Sequence, residues 1–139
     1  MRITICGSTK FLEEMRNVKS LLEKQGHIAL IPLSAEINQT KTFWNELRNK
    51  DIKRFASLKG ERMKGHFEKI KSSEAILVLN YDKDGKTNYI GPNTLMEMGV
   101  AFDYGKKIFV LNPLPNNDFY EELVSMSPTV LDGNLSKID

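Results

Sequence analysis

Short apolar runs alternate with longer stretches of helical spacing along the whole chain. Arg2 to Cys6 is a β-branched run that stops at Gly7-Ser8-Thr9, after which Phe11, Met15, Val18, Leu21 and Leu22 recur at helical spacing as far as Gly26. His27 to Pro32 predicts a second strand, and Leu33 to Thr42 a loop. Two charged helices are predicted from Phe43 to Ala56 and from Gly60 to Ser72, each largely facing water. Ala75 to Leu79 is continuously apolar, as a strand buried on both faces of a parallel sheet would be. A polar loop, Asn80 to Gly91, leads into another helical segment, and Lys107 to Leu111 predicts a fourth strand after Gly105. A short helix near Asp118 to Ser125 and a weak strand near Thr129 to Leu131 complete five βα-type units.

This alternation predicts a three-layer α/β/α fold: a five-stranded parallel sheet, doubly wound in the flavodoxin or Rossmann manner, with right-handed crossovers placing helices on both faces. The 139 residues are read as one domain, 1-139, large enough to bury its own core. Lys and Arg (20) nearly balance Asp and Glu (18), so the composition supplies no strong field for a nucleic acid polymer or an anionic membrane. One cysteine rules out an internal disulfide, and two histidines give no metal cluster at zinc-like spacing; neither a metal nor a cofactor is expected. The amino-terminal run lacks signal-peptide order, and no segment approaches the roughly 20 apolar residues of a membrane span. The expectation is a cytoplasmic protein in a reducing compartment.

One carboxylate stands out. Glu97 lies in Thr94-Leu95-Met96-Glu97-Met98-Gly99-Val100-Ala101, an uncharged run otherwise apolar nearly all round and so expected to be buried. An ionised side chain there is costly without a partner, and burial raises its pKa, which suits a group kept for chemistry. Gly91-Pro92-Asn93 starts the helix, with Pro92 at its first position or Asn93 as its cap, so Glu97 falls within about two turns of free backbone N–H groups. The bland reading is a carboxylate that favours the helix dipole and points to water.

Ligands of open parallel sheets bind beyond the carboxyl ends of the strands, where the winding reverses. Gly7-Ser8-Thr9-Lys10 meets the physical needs of an anion there, with small residues, hydroxyls and a cation at a helix start. It matches neither G-x-G-x-x-G nor G-x-x-x-x-G-K-[ST], which weakens the dinucleotide and triphosphate-loop readings. Tyr81, Asp82, Asn88 and Tyr89 read as loop residues, of which one or two touch a ligand, and Trp44 is either core or an exposed stacking aromatic. Cys6 and His27 read as structural.

Together these features resemble the nucleoside 2-deoxyribosyltransferase-like superfamily, which includes the deoxynucleoside 5′-monophosphate N-glycosidases. Ile5-Cys6-Gly7-Ser8 with Lys10 is similar to its opening strand and phosphate-side turn, the segment around Glu97 to its Glu-[aliphatic]-Gly-x-Ala signature, and Gly105-Lys106-Lys107-Ile108 to the Gly-Lys-Pro-[aliphatic] that follows. The resemblance implies that Glu97 is a nucleophile attacking C1′ of a nucleoside or nucleoside 5′-monophosphate. It also implies a glycosyl-enzyme resolved by water or by another base.

His66, in place of the family's usual Asp, is the preferred proton donor to the departing base, ahead of Asp82 or a tyrosine. Gly91 stands where an Asp or Ser is usual. Asn93 or Tyr89 would hold sugar hydroxyls, and Ser8, Thr9 and Lys10 a 5′-phosphate. No cofactor is implied; the partners implied are a small-molecule nucleoside or nucleotide and further copies of the chain, as a homo-oligomer. The substitutions at His66 and Gly91 favour an alternative, a non-catalytic nucleotide-binding or sensing module on the same fold.

Overall fold

The computed structural model describes residues 1–139 throughout. Five strands, β1 (Arg2–Gly7), β2 (Ile28–Leu30), β3 (Ala75–Leu79), β4 (Lys107–Val110) and β5 (Thr129–Val130), form one sheet in the order β2-β1-β3-β4-β5, every neighbouring pair parallel. The helices are α1 (Leu12–Lys24), α2 (Leu33–Glu36), α3 (Lys41–Lys50), α4 (Ile52–Lys71), α5 (Pro92–Asp103) and α6 (Tyr120–Ser125). No helix is long and apolar enough to cross a membrane.

Strand alternation divides the core into two layers. Ile3, Ile5, Ala75, Leu77, Leu79 and Phe109 face α1, whose Leu12, Met15, Val18 and Leu22 recur at three- and four-residue spacing. Cys6, Ile76, Val78, Ile108 and Val110 face the other way, onto Ile70 of α4, Met98 and Ala101 of α5 and Leu123 of α6. This is why β3 is apolar at every position: both of its faces are covered. Thr4, the polar residue inside β1, is fully buried and spends its hydroxyl on Ser73 Oγ at 2.7 Å.

The chain departs from its predicted elements in four places. Leu33 to Thr42 is not all loop: Leu33–Glu36 closes one helical turn that buries Ser34 and Ala35. The helix break predicted between Ala56 and Gly60 falls at Asp51, which is extended (φ −154°) and accepts the Arg54 N–H with its carboxylate, an N-cap that starts a 20-residue α4. Gly60 and Gly65 are carried inside that helix at a propensity cost of roughly 1 kcal/mol each relative to alanine. Nor is α4 simply a solvated helix, since it buries His66 and Ile70 against the sheet. The α5 helix is amphipathic, not apolar all round in its burial: Met96 and Phe102 face water while Thr94, Glu97, Met98 and Ala101 form its inward stripe.

Two features of the sheet define a crevice. The winding reverses between β1 and β3, which leaves a gap open at their carboxyl ends. Gly7 permits the close approach there, because a Cβ at that position would lie 3.1 Å from the Leu79 carbonyl oxygen and 3.2 Å from Met15 Cε.

Candidate active site

Pro92 occupies the first turn of α5 and Gly91 its extended N-cap, so the inward stripe of the helix delivers Glu97 to the crevice between β1 and β3. Glu97 is 3 % exposed. Burial pushes its pKa up to about 8, against the opposing pull of the Lys59 charge and the Cys6 thiol. Cys6 arrives from the end of β1 and His66 from α4, and the donor atoms of these three buried side chains lie within 4.8 Å of one another. Burial and the Glu97 carboxylate together raise the Cys6 thiol well above its ordinary pKa.

His66 Nε2 lies 3.1 Å from the Ile5 carbonyl oxygen and 3.6 Å from both Glu97 Oε2 and Cys6 Sγ. The Cys6 sulfur is also within reach of a hydrogen bond, but the carbonyl is the nearer partner and can only accept, so Nε2 carries the hydrogen and donates it to Ile5. Burial, then the Lys69 charge, lowers the His66 pKa to about 4, which makes the ring a neutral imidazole at ordinary pH. Its Nδ1 is buried with no partner. Spacing along the chain does not mark Cys6, His66 and Glu97 as neighbours, yet the fold gathers three potential metal ligands in one place. Cys6, His66 and the Ile5 carbonyl form one hydrogen-bonded network beside Glu97.

The crevice beside Glu97 is narrow, about 40 Å³, and is bordered by Gly7 and Thr9, by Lys59, Arg62, Met63 and His66 of α4, and by Asn93. It runs into a wider recess of about 260 Å³ that shares Gly7, Thr9, Lys59 and Asn93 and adds Ser8, Lys41, Lys83, Tyr89 and Gly91. Asn93 Oδ1 is buried without a partner. Lys83 Nζ donates to Ser8 Oγ at 3.1 Å and sits 4.6 Å above the Tyr89 ring. The largest hollow in the molecule, about 680 Å³ between residues 86–90 and 114–119, contains neither Glu97 nor His66.

Eight of the ten residues singled out in the sequence, Gly7, Ser8, Thr9, His66, Tyr89, Gly91, Asn93 and Glu97, border these two connected spaces. Lys10 and Asp82 do not. Lys10 is exposed and pairs with Asp84 at 2.8 Å, drawn aside by the nearest free carboxylate. Asp82 accepts the Asn88 N–H at 2.9 Å, closing the loop after β3 on itself.

Lys41, Lys59, Arg62, Met63 and Lys83 were missed. Lys59, Arg62, Met63 and His66 form one stripe at i, i+3, i+4 and i+7; the last three fall inside the helix predicted from Gly60, and Lys59 joins them only if that helix is continued back through Gly60.

No protein-family model matches this chain, and a search of curated proteins finds no match. Among solved structures it is similar to the CMP N-glycosidase BcmB of Clostridium botulinum, at 14% identity over 94% of this chain and 85% of that one, with a TM-score of 0.47. It is also similar to the 2-deoxyribosyltransferase of the psychrotolerant bacterium Bacillus psychrosaccharolyticus, at 15% identity over 94% of this chain and 98% of that one, with a TM-score of 0.51. The latter likeness, nearly end to end in both chains, shows that the fold is the parallel α/β fold of that transferase.

Proposed function

We propose that this protein cleaves or transfers the N-glycosidic bond of a nucleoside or nucleoside 5′-monophosphate, with Glu97 as nucleophile. The observation that carries the reading is the position of the Glu97 carboxylate: withdrawn from solvent at the switch point of a parallel sheet, at the inner end of a crevice that widens into a recess lined by Ser8, Lys41, Lys59 and Lys83. The fold shared with a 2-deoxyribosyltransferase supports it.

In this reading the recess holds the 5′-phosphate through the Ser8 and Thr9 turn and the surrounding ammonium groups, and Asn93 takes a sugar hydroxyl. The ionised Glu97 oxygen attacks C1′ as the bond to the base breaks, and the bonding pair leaves with the base, which takes its proton from solvent at the cleft mouth. Water then adds to C1′, losing a proton and releasing the Glu97 carboxylate; a second base in place of water gives transfer. Lys59 favours the ionised form of Glu97. His66 is not the proton donor expected from the sequence, because a neutral imidazole whose only N–H is bound to Ile5 has no acidic proton to offer. It is a positioning residue that fixes the wall behind Glu97. We place the enzyme in the cytoplasm as a homo-oligomer, consistent with its free buried Cys6 and with the outward apolar residues Met96 and Phe102 of α5.

The test is incubation of the purified protein with pooled nucleosides and nucleoside 5′-monophosphates, with free base followed by chromatography, beside Glu97→Gln. Release of base by the wild type and not by the variant is the expected result. A second reading, nucleotide sensing without turnover, is favoured by the narrow space beside Glu97 and by its raised pKa. Nucleotide binding without base release, indifferent to Glu97→Gln, would establish it instead.

A further inference from the structure

Resting on the nucleotide reading of the cleft, we propose that its substrate carries a pyrophosphate rather than a single phosphate, because three lysines without carboxylate partners, Lys41, Lys59 and Lys83, converge from α3, α4 and the loop after β3 on the recess beside Ser8 and Thr9.

The charge count is the first ground. The five lysine–carboxylate ion pairs of the molecule use Lys10, Lys19, Lys69, Lys71 and Lys137 and leave these three lysines unpaired. No Asp or Glu borders the recess. A phosphate monoester brings at most two negative charges to three ammonium groups, whereas a terminal pyrophosphate brings about three.

Mutual repulsion is the second ground. Beyond the effect of burial, the Lys41 charge is the leading cause lowering the proton affinity of both Lys59 and Lys83. The opposing pull of Glu97 on Lys59 and of Asp84 on Lys83 is smaller, and like charges gathered at one place are relieved by a polyanion.

Space is the third. Past Lys41 and Lys59 the recess continues into a groove of about 240 Å³ where Arg48 adds a further cation beside Trp44 and Phe55. A phosphate anchored at Ser8 and Thr9 therefore has both charge and room beyond it. The same chemistry is presented by a nucleoside 5′-diphosphate and by a dinucleotide with an internal pyrophosphate, whose second half would lie along the Trp44 groove.

Binding of inorganic anions tests the inference without relying on catalysis. By calorimetry at pH 7 on the full chain, pyrophosphate should bind at least about tenfold tighter than phosphate. Lys41→Gln and Lys83→Gln, both at solvent-accessible positions and checked for folding by circular dichroism, should each remove most of that advantage. Equal affinity for the two anions, or a pyrophosphate preference untouched by both substitutions, overturns the inference.

Base release from a nucleoside, its 5′-mono- and 5′-diphosphate and a pyrophosphate-linked dinucleotide separates this inference from the one beneath it. The diphosphate or the dinucleotide as best substrate supports the inference and tells the two sources apart. The monophosphate as best substrate overturns it and keeps the glycosidase. No release from any of them, with the pyrophosphate preference intact, overturns the glycosidase and keeps a pyrophosphate-binding cleft.

Discussion

His66 Nε2 stands 3.6 Å from Glu97 Oε2, yet the two do not make an ion pair. Burial holds the imidazole neutral down to about pH 4 and the carboxyl protonated up to about pH 8, and the Ile5 carbonyl takes the Nε2 proton. Between those limits both groups are uncharged. A salt-bridged pair would instead ionise Glu97 well below neutrality.

Catalysis should carry the imprint of that neutral pair. If Glu97 attacks as the carboxylate, log kcat/KM for base release should climb with unit slope through neutrality and level off near pH 8, where the free protein's Glu97 loses its proton. No falling limb due to His66 belongs in the range 5 to 8, since that group is already neutral there. A profile already flat from pH 5.5 upward would mean that Glu97 is ionised, and would refute the neutral pair.

Stability depends on the same two groups, with opposite signs. Glu97 has a folded pKa above its ordinary 4.5, so its contribution is complete below about pH 4.5 and is lost as pH rises through 8. His66 has a folded pKa below its ordinary 6.5, so its contribution is present above 6.5 and is lost as pH falls through 4. The two trends oppose one another between 4.5 and 6.5, and above 6.5 only the Glu97 loss remains. Glu97→Gln removes that loss. Urea unfolding should show the variant gaining on the wild type from pH 6.5 to above 8, by about 2 kcal/mol over that interval; a pH-independent difference would contradict a buried acid with a raised pKa.

How far this site was legible in the sequence depends on which physical signal each residue left. Ala75 to Leu79 announced a doubly covered strand because burial on both faces leaves no polar position. Glu97 announced itself by being the one charge in its run. Gly7, Ser8 and Thr9, singled out as small and hydroxyl residues directly after a strand end, do border the recess. Lys59 and Arg62 left no comparable mark. Cations on a helix ordinarily mean a solvated face, and beginning that helix at Gly60 left Lys59 outside it and apart from His66, although seven residues of unbroken helix put them on one side. Lys10 failed for a different reason: sequence proximity to the turn says nothing of Asp84, 74 residues away, which claims its ammonium group.

Gly91 offers a test of the recess. It has ordinary φ (−90°), so alanine is unstrained in the backbone, but its Cβ would come 2.7 Å from Tyr89 Oη. The tip of a loop side chain can swing aside, so Gly91→Ala should cost little stability, within about 1 kcal/mol. The displaced ring no longer underlies Lys83, whose ammonium group lies 4.6 Å from its centroid. KM for phosphorylated substrates should therefore rise severalfold while that for plain nucleosides changes less. Equal effects on the two substrate classes would show that Tyr89 and Lys83 do not serve the phosphate side.

Asn80 holds the rim of the sheet on which all of this depends. It is fully buried just past the end of β3, and its side chain accepts the Asn112 N–H at 2.9 Å while Nδ2 donates to the carbonyls of Asn112 and Pro113 at 3.0 and 3.1 Å. Asn112 Nδ2 returns a bond to the Asn80 carbonyl at 3.1 Å, so the chain leaving β3 is stapled to the chain leaving β4. Asn80→Ala orphans a buried N–H and strands the carbonyls it served, at a cost of about 2 to 4 kcal/mol. Asn80→Asp should be worse at neutral pH despite its near-identical shape, because it keeps the acceptor toward Asn112 N–H but faces two carbonyl oxygens with a second negative oxygen in place of a donor. Acid reverses the order: once protonated, the introduced carboxyl regains a donor, so the aspartate variant should overtake the alanine variant in unfolding midpoint as pH drops toward 4. If the two variants kept their ranking at every pH, the staple would be a matter of packing and not of paired hydrogen bonds.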